Sequence, residues 1–425
     1  MSARDVIPSS VAEQIDTAAQ SVEASVLTWR RDLHQHPELG NREFRTAAIV
    51  AAHLQQLGLD DVRTEVAHTG VVGVLKGALP GPTVALRADM DGLPVTEEAD
   101  VPFASRVRTM WNGEEVGVMH ACGHDCHVAI LMGVAEVLAG LRAKLRGTVK
   151  FIFQPAEEMP PEGEEGGAKM MIAEGALENP VPQVIFGLHV TSRLPVGIVG
   201  YRPGPTMASS DRFSIKVHGK QTHGAAPWLG VDPIVTAAQV ILGLQTVVSR
   251  SVDIAREPAV VTVGMIRGGV RENIIPNEVE MKGTIRTFEE GMRDDIHERV
   301  TTMAEAISRG SRAGCTVCIQ KNYPVTVNDP ALTEAMVPTL QRVAGPDGLL
   351  LVPKVTGAED FSFFQRIIPG LFFFVGVTPP DIDPAKAYSN HSPRFFADER
   401  GLLVGVRALA HLTCDYLESN AAPGK

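Results

Sequence analysis

"DRFSIKVHGK", residues 211–220, is the stretch on which the fold turns. Phe213, Ile215 and Val217 alternate with polar neighbours, the period of a half-buried strand. The segments after it keep a strict order. "DPIVTAAQVILGLQTVVSR" (232–250) reads as a helix, "AVVTVGMIRGG" (259–269) and "NEVEMKGTIRTF" (277–288) as two strands, about 289–309 as a second helix, and "CTVCIQKNY" (315–323) as a closing strand. This β-α-β-β-α-β order is the split, ferredoxin-like arrangement, in which one sheet and two helices can form a core of their own. On either side the rhythm is different. Helical patterns run from Val11 to His36, ending at Pro37, and through "AAIVAAHLQQLGL" to Gly58; "VVGVLKG" and "TVALRADMD" are buried strands. "HVAILMGVAEVLAGLRAKLRG" carries a stripe of Val128, Leu131, Val134, Leu138 and Leu141, and "TVKFIFQPAEE" is a strand that runs into a loop. "LFFFVGV" (371–377) and a helix over 402–417 resume this pattern near the C-terminus. Alternating strands and helices predict an α/β sheet covered on both faces, with functional groups gathered at strand ends. The expected architecture is therefore an α/β domain of residues 1–208 and 324–425, interrupted by a ferredoxin-like α+β domain of residues 209–323.

A chain of 425 residues exceeds what one hydrophobic core usually supports, which agrees with two domains. Its composition is 44% hydrophobic and 21% charged, with a mean hydropathy of +0.05, that of an ordinary soluble globular protein. The net charge of −11 and pI near 5.7 offer no basic field for a phosphate backbone, and aromatics at 5% give few stacking platforms. Nucleic acid is not an expected partner. The first twenty residues contain no apolar signal core, and no run of about 18 uncharged apolar residues occurs later, so a cytoplasmic protein that does not enter membranes is expected. Cys122, Cys126, Cys315, Cys318 and Cys414 are too few for a disulfide framework.

Chemistry concentrates in "MHACGHDCHV" (119–128), where three histidines, two cysteines and an aspartate share ten positions. Taken singly, each histidine also reads as a polar helix end or a satisfied core residue. Two further strand ends alter the balance: "QPAEE" presents two adjacent carboxylates after a buried apolar run, and "GLHV" closes another apolar run with His189. Buried acids and imidazoles are costly alone, and one neutralising cation at several strand ends accounts for all of them. Thiolate, imidazole and carboxylate together suit zinc, cobalt, nickel or manganese better than magnesium or calcium. Cys122 and His124, two apart, fall on one side of an extended segment and are the expected ligands; Cys126 and His127 fall where the helix begins and read as packing or support. "CTVC" (315–318) has redox spacing but lies in a strand, so its cysteines are expected to pack rather than react. Cys414 and His411 neighbour one another on a helix without further ligands. The sequence has no G-x-S-x-G elbow, P-loop or dinucleotide fingerprint.

These residues, with "RRDLHQHPELG", "LRADMDGLPV", "FIFQPAEE", "GGAKMMIAEGAL", "THGAAPW", "GVDPI", "GGVRENIIPNEVEMKGTIRT", "GAEDFSFF" and "NHSPRFFADE", resemble the successive motifs of a family of metal-dependent amidohydrolases. That family includes hippurate hydrolase, bacterial N-acyl-amino-acid hydrolases and plant auxin-conjugate hydrolases, within the aminoacylase and carboxypeptidase clan of di-metal peptidases. The resemblance runs in consistent order from about residue 26 to 417. It implies a metal-binding α/β catalytic domain, an inserted lid that also forms a homodimer (or tetramer), and a small N-acyl amino acid as substrate. It further implies Cys122, His124, Glu158, His189 and His391 as ligands of two divalent metal ions (zinc, manganese, cobalt or nickel), with Cys122 bridging. Glu157 resembles the catalytic base and Asp91 the assisting aspartate; that Glu157 rather than Glu158 is the base comes from the resemblance alone. His223, Asn273 and Arg286 match lid positions that bind substrate or polarise its carbonyl, the histidine typically reaching a neighbouring subunit's site. Gly357, Glu359 and Asp360 are expected to shape a pocket wall. A metallo-carboxypeptidase or dipeptidase would share this chemistry, and a non-catalytic metal-binding regulator would share the fold.

Overall fold

The computed structural model describes residues 9–421, and they form an α/β fold with a large mixed sheet. By internal contacts the chain divides into two compact units, one of residues 1–204, 328–352 and 363–425, the other of residues 205–327 and 353–362. The short return of 353–362 to the second unit lies outside the continuous insertion expected from the strand order.

In the first unit eight strands form one sheet, in the order Asp61–Val66, Gly70–Lys76, Arg146–Gln154, Leu79–Asp89, Val184–Pro195, Gly370–Thr378, Val199–Tyr201 and Leu349–Leu351. The middle four are mutually parallel and near-continuously apolar, as strands covered on both faces must be. Gly370–Thr378 is buried at every position, and each large side chain so buried contributes roughly 1.5–3 kcal/mol. The long helix Ser9–Gln35 turns Ile15, Ala19, Val22, Val26 and Leu33 inward at helical spacing. His124–Gly140 is apolar on all sides and is enclosed accordingly, and Arg400–Ser419 shares its core. The sequence pattern does not signal the helix Pro330–Ala344, because Pro338 sits inside it; Asp329 caps it, Oδ1 accepting the Leu332 N–H at 2.7 Å.

The second unit holds an antiparallel sheet in the order Ala259–Gly268, Glu278–Thr287, Ser210–His218 and Gly314–Tyr323. Numbered along the chain this is 2-3-1-4, the ferredoxin-like order, and helices Pro233–Ser251 and Glu290–Gly310 share a core with it. Phe213 pairs with Gly283, where a Cβ would come within 2.3 Å of the Phe213 ring, so glycine here makes room for the core. Helix Pro233–Ser251 is long and apolar enough to cross a membrane by length and composition, but Thr236, Gln239, Gln245 and Arg250 interrupt its apolar run; Ala237, Val240, Leu244 and Val247 bury one face of it in this core. Cys315 faces the same core, whereas Cys318 is exposed, which corrects the expectation that both pack inside.

Candidate metal centre

Strand register brings the first unit's acids and histidines together. Asp89 pairs with Gln154 across parallel strands, so the segments just beyond them, carrying Asp91 and Glu157–Glu158, leave the sheet side by side. Arg87 pairs with Gly187 on the other neighbour, which sets His189 level with Asp89. These are C-terminal ends of parallel strands, where α/β sheets place their sites.

Cys122 and His124 converge for a different reason from the one expected. The segment between them is not extended: Gly123 has φ 92° and begins the helix, and a Cβ on it would lie 2.4 Å from Val190 Cγ2. Only glycine makes this turn without strain. Cys122 Sγ then lies 3.3 Å from His189 Nε2 and 3.2 Å from His391 Nε2, and His391 Nε2 is 2.9 Å from Glu158 Oε1. His124 Nε2 is 3.9 Å from Glu157 Oε2. Asp91 joins both sides, its Oδ2 accepting the Glu158 N–H at 2.9 Å while Oδ1 stands 3.2 Å from His124 Nδ1.

The ring nitrogens are oriented from behind. His189 Nδ1 is 2.7 Å from the Val190 carbonyl, to which it donates, leaving the Nε2 lone pair toward Cys122. His127 Nε2 accepts the Val190 N–H at 2.9 Å and its Nδ1 meets Asp89 Oδ1 at 2.5 Å, so both nitrogens are engaged and the ring supports the site. Cys126 is buried in the core. His391 has φ 71°, held by its N–H to the Ala121 carbonyl at 2.8 Å. Beside it, the Asn390 amide donates to the Cys122 carbonyl at 2.9 Å and the Val190 carbonyl at 3.1 Å. Sequence reading missed Asn390, Asp89 and Glu43, the last of which accepts the Ala156 N–H at 2.9 Å, since each acts on groups far away in the chain.

Four overlapping donor groups result among the described residues of this unit, each with ligand atoms within 4.8 Å of one another: Cys122, His124 and His189; Cys122, Glu158 and His391; His124, Glu157 and Glu158; and Asp89, His124 and His127. The electrostatics are unfavourable without a cation. Burial, and then the charges of Glu158 and Glu157, hold the Cys122 thiol well above its ordinary pKa. Burial and neighbouring His127 hold His189 well below its own. Burial opposes charging of His124, yet Asp89 and Asp91 push it up to about 10, and its Nε2 lacks a hydrogen-bond partner among the described residues. A divalent ion removes these penalties together, and sulfur, nitrogen and oxygen donors are those of the borderline metals. The donors therefore fit a metal.

In the second unit, His223 pairs with Ile274 in a two-stranded antiparallel ribbon of segments far apart in the chain, and the Asn273 carbonyl accepts the Gly224 N–H at 2.8 Å, so His223 and Asn273 lie close in space. Both are exposed. Arg286 lies on Glu278–Thr287, partly buried, with Nη1 3.0 Å from the Ile285 carbonyl and bonded to Thr284 Oγ1; burial, with Arg212 nearby, lowers its pKa. Gly357, Glu359 and Asp360 belong to this unit, Glu359 Oε1 accepting the Phe361 N–H at 3.0 Å. Cys414 and His411 are buried, His411 lying 3.0 Å from Asp16 through Nε2.

The pattern of peptidase family M20/M25/M40 matches residues 85–415. The chain belongs to this family. Over 400 residues it is 38% identical to thermostable carboxypeptidase 2 of Saccharolobus solfataricus, covering 94% of this chain and 96% of that one. N-acetylcysteine deacetylase of Bacillus subtilis is 36% identical over 402 residues, 95% of this chain and 99% of that one. Among solved structures, the Bacillus subtilis YXEP protein, described as a dinuclear metal binding peptidase from the M20 family, is 35% identical with a TM-score of 0.77, covering 94% of this chain and 99% of that one. This member of M20/M25/M40 is a hydrolase acting on amide bonds.

Proposed function

We propose that this hydrolase cleaves the amide bond of N-acyl-L-amino acids, including hippurate-like conjugates, with two divalent ions of the zinc, manganese, cobalt or nickel type that Cys122, His124, Glu158, His189 and His391 would hold. The observation that carries the reading is the overlap of two donor groups at Cys122, with Glu157 beside them. Cys122, His124 and His189 would hold one ion, and Cys122, Glu158 and His391 the other. Bound there, such ions would acidify water and polarise the scissile carbonyl.

The chain's own residues supply the rest. Glu157 accepts a proton from water and returns it to the departing nitrogen, general acid–base work worth about 10² to 10⁴ in rate. Asp91 holds the His124 ring and the Glu158 backbone in register. His223 and Asn273 donate to the developing oxyanion, and the Arg286 guanidinium forms a fork for the carboxylate of the amino-acid half. The enzyme works in the cytoplasm as a homodimer or tetramer, the inserted unit serving as lid and subunit contact; its exposed Ile234, Val235 and Leu242 on one helix agree with such a contact.

The test is hydrolysis of an N-acyl-amino-acid panel, hippurate included, by protein stripped of metal and resupplied with each of the four ions. Metal-restored release of free amino acid supports the reading; failure with every ion and every N-acyl substrate overturns it. The carboxypeptidase name of one relative favours a second reading, cleavage of peptides at the C-terminal residue. Faster turnover of free dipeptides than of N-blocked amino acids would select it.

A further inference from the structure

The loop "MPPEGEEGG" (159–167), directly after the two glutamates, lies against Gly40–Glu43. At the far end, Asn41 Nδ2 donates to the Glu165 carbonyl at 3.0 Å, and Arg42 pairs with Glu164. No slack is left between the segments. A Cβ on Gly40 would sit 3.1 Å from Ala156 Cβ, and one on Gly166 would sit 2.6 Å from Asn41 Oδ1. At the near end, Ala156 has φ 51°, a left-handed conformation that a residue with a Cβ adopts only when its surroundings impose it. What imposes it is Glu43, fully buried, whose Oε1 accepts the Ala156 N–H at 2.9 Å while Oε2 meets the Thr69 hydroxyl at 2.6 Å.

Ala156 is the last residue before Glu157, so the rotation of its backbone determines where Glu157 and Glu158 part. We propose that Glu43 is a positioning residue for the hydrolysis, fixing through the Ala156 N–H the left-handed turn that aims Glu157 at its water. This rests on the reading of Glu157 as the base. Glu43 does its work as an acceptor of set reach rather than as a charge. Burial, and after it the Asp91 carboxylate, push its carboxyl up to about 8. Oε1 accepts the Ala156 N–H while Oε2 accepts the Thr69 hydroxyl. Glutamine presents the same oxygen and an N–H in those two places, whereas aspartate keeps the charge and falls one methylene short.

Two variants of the metal-loaded, full-length enzyme separate reach from charge. Glu43→Asp is expected to lower kcat on an N-acyl amino acid about 10- to 100-fold, the scale of a small misplacement of a reacting group, with KM and bound metal unchanged. Glu43→Gln is expected to stay within about threefold of the parent in kcat, since the acceptor position is kept. Parental kcat in Glu43→Asp overturns the proposal, as does a Glu43→Gln variant as slow as Glu43→Asp, or loss of metal in step with loss of kcat. Should Glu43→Asp fail to fold, Thr69→Val removes only the Oε2 partner, and a folded Thr69→Val protein is expected to show a smaller drop confined to kcat; parental kcat there overturns the proposal. Glu157→Gln is measured alongside. If it retains turnover, the base reading falls and this proposal with it; if it is inactive while Glu43→Asp is unaffected, the positioning proposal alone falls.

Discussion

The metal centre of the first unit and the His223–Asn273 pair of the second hold candidate functional groups in opposite ways. Around Cys122 the side chains are bonded from behind, and although His391 is exposed, Cys122 and His124 are buried: Asp91 grips His124, the Val190 carbonyl takes His189 Nδ1–H, and Asn390 ties Cys122 to the same carbonyl. His223 and Asn273 stand exposed, joined mainly by backbone bonds between Thr222–His223 and Ile274–Ile275. A centre of the first kind is aimed before substrate arrives, which suits groups that must hold a cation and move a proton. An exposed pair of the second kind is held by fewer bonds, the His223 ring by its Nδ1 accepting the Ala225 N–H at 3.0 Å. Substitutions in the first unit should therefore act on chemistry and metal content, and those in the second on binding or on stability.

The largest expected effect sharpens the first half of that contrast. Glu157→Gln should cut turnover by about 10² to 10⁴ while metal content, by elemental analysis, and folding, by circular dichroism, stay parental. The next concerns the second unit's stability. Asp211 is buried with Arg293 at 2.9 Å through Nε and His297 at 2.8 Å, and Arg293→Ala should cost about 3–5 kcal/mol by leaving that buried carboxylate with His297 as its remaining charge partner. Burial raises the Asp211 pKa, but Arg293 and His297 outweigh it and hold the group below its ordinary value. Its contribution is thus complete above a pH of about 4 and lost as pH falls through the folded-state pKa, and denaturant titrations across pH should show a steeper slope in the parent than in Arg293→Ala. Asp91→Asn keeps the size of the side chain but not its charge, and should weaken metal affinity or activity about 10- to 100-fold, read by competition with a chelator. Smallest is His223→Ala, expected to raise KM or lower kcat without altering metal content. Loss of metal from His223→Ala, or retention of full activity by Asp91→Asn, would break the contrast.

Much of this architecture is legible in the chain. The change of period at Ser210 marks the second sheet, whose strands fall within two residues of those read from alternation. Cys122, His124 and His189 are visible as unusual residues at the ends of apolar runs. Other features carry no local signal. His391 lies 269 residues from the thiol it approaches, and only resemblance points to it. Asn390 and Glu43 work by bonding to backbone groups, so their partners have no side-chain identity to read. Cys122 and His124 are the expected pair for an incorrect reason, since a left-handed glycine, and not alternation along an extended segment, brings them together. Pro338 interrupts the pattern of a helix that tertiary packing nevertheless retains.

The position of Gly370–Thr378 has a consequence for how the protein is made. This strand lies in the middle of the first unit's sheet, beside Val184–Pro195, yet emerges from the ribosome after the whole four-stranded sheet of the second unit has been synthesised. Domains fold largely as they appear, at roughly 5–20 residues per second, so the later-encoded sheet can be complete while Val184–Pro195 still has an open apolar edge. That edge is the part of the nascent chain most in need of protection, because strands left unpaired invite other chains to pair with them.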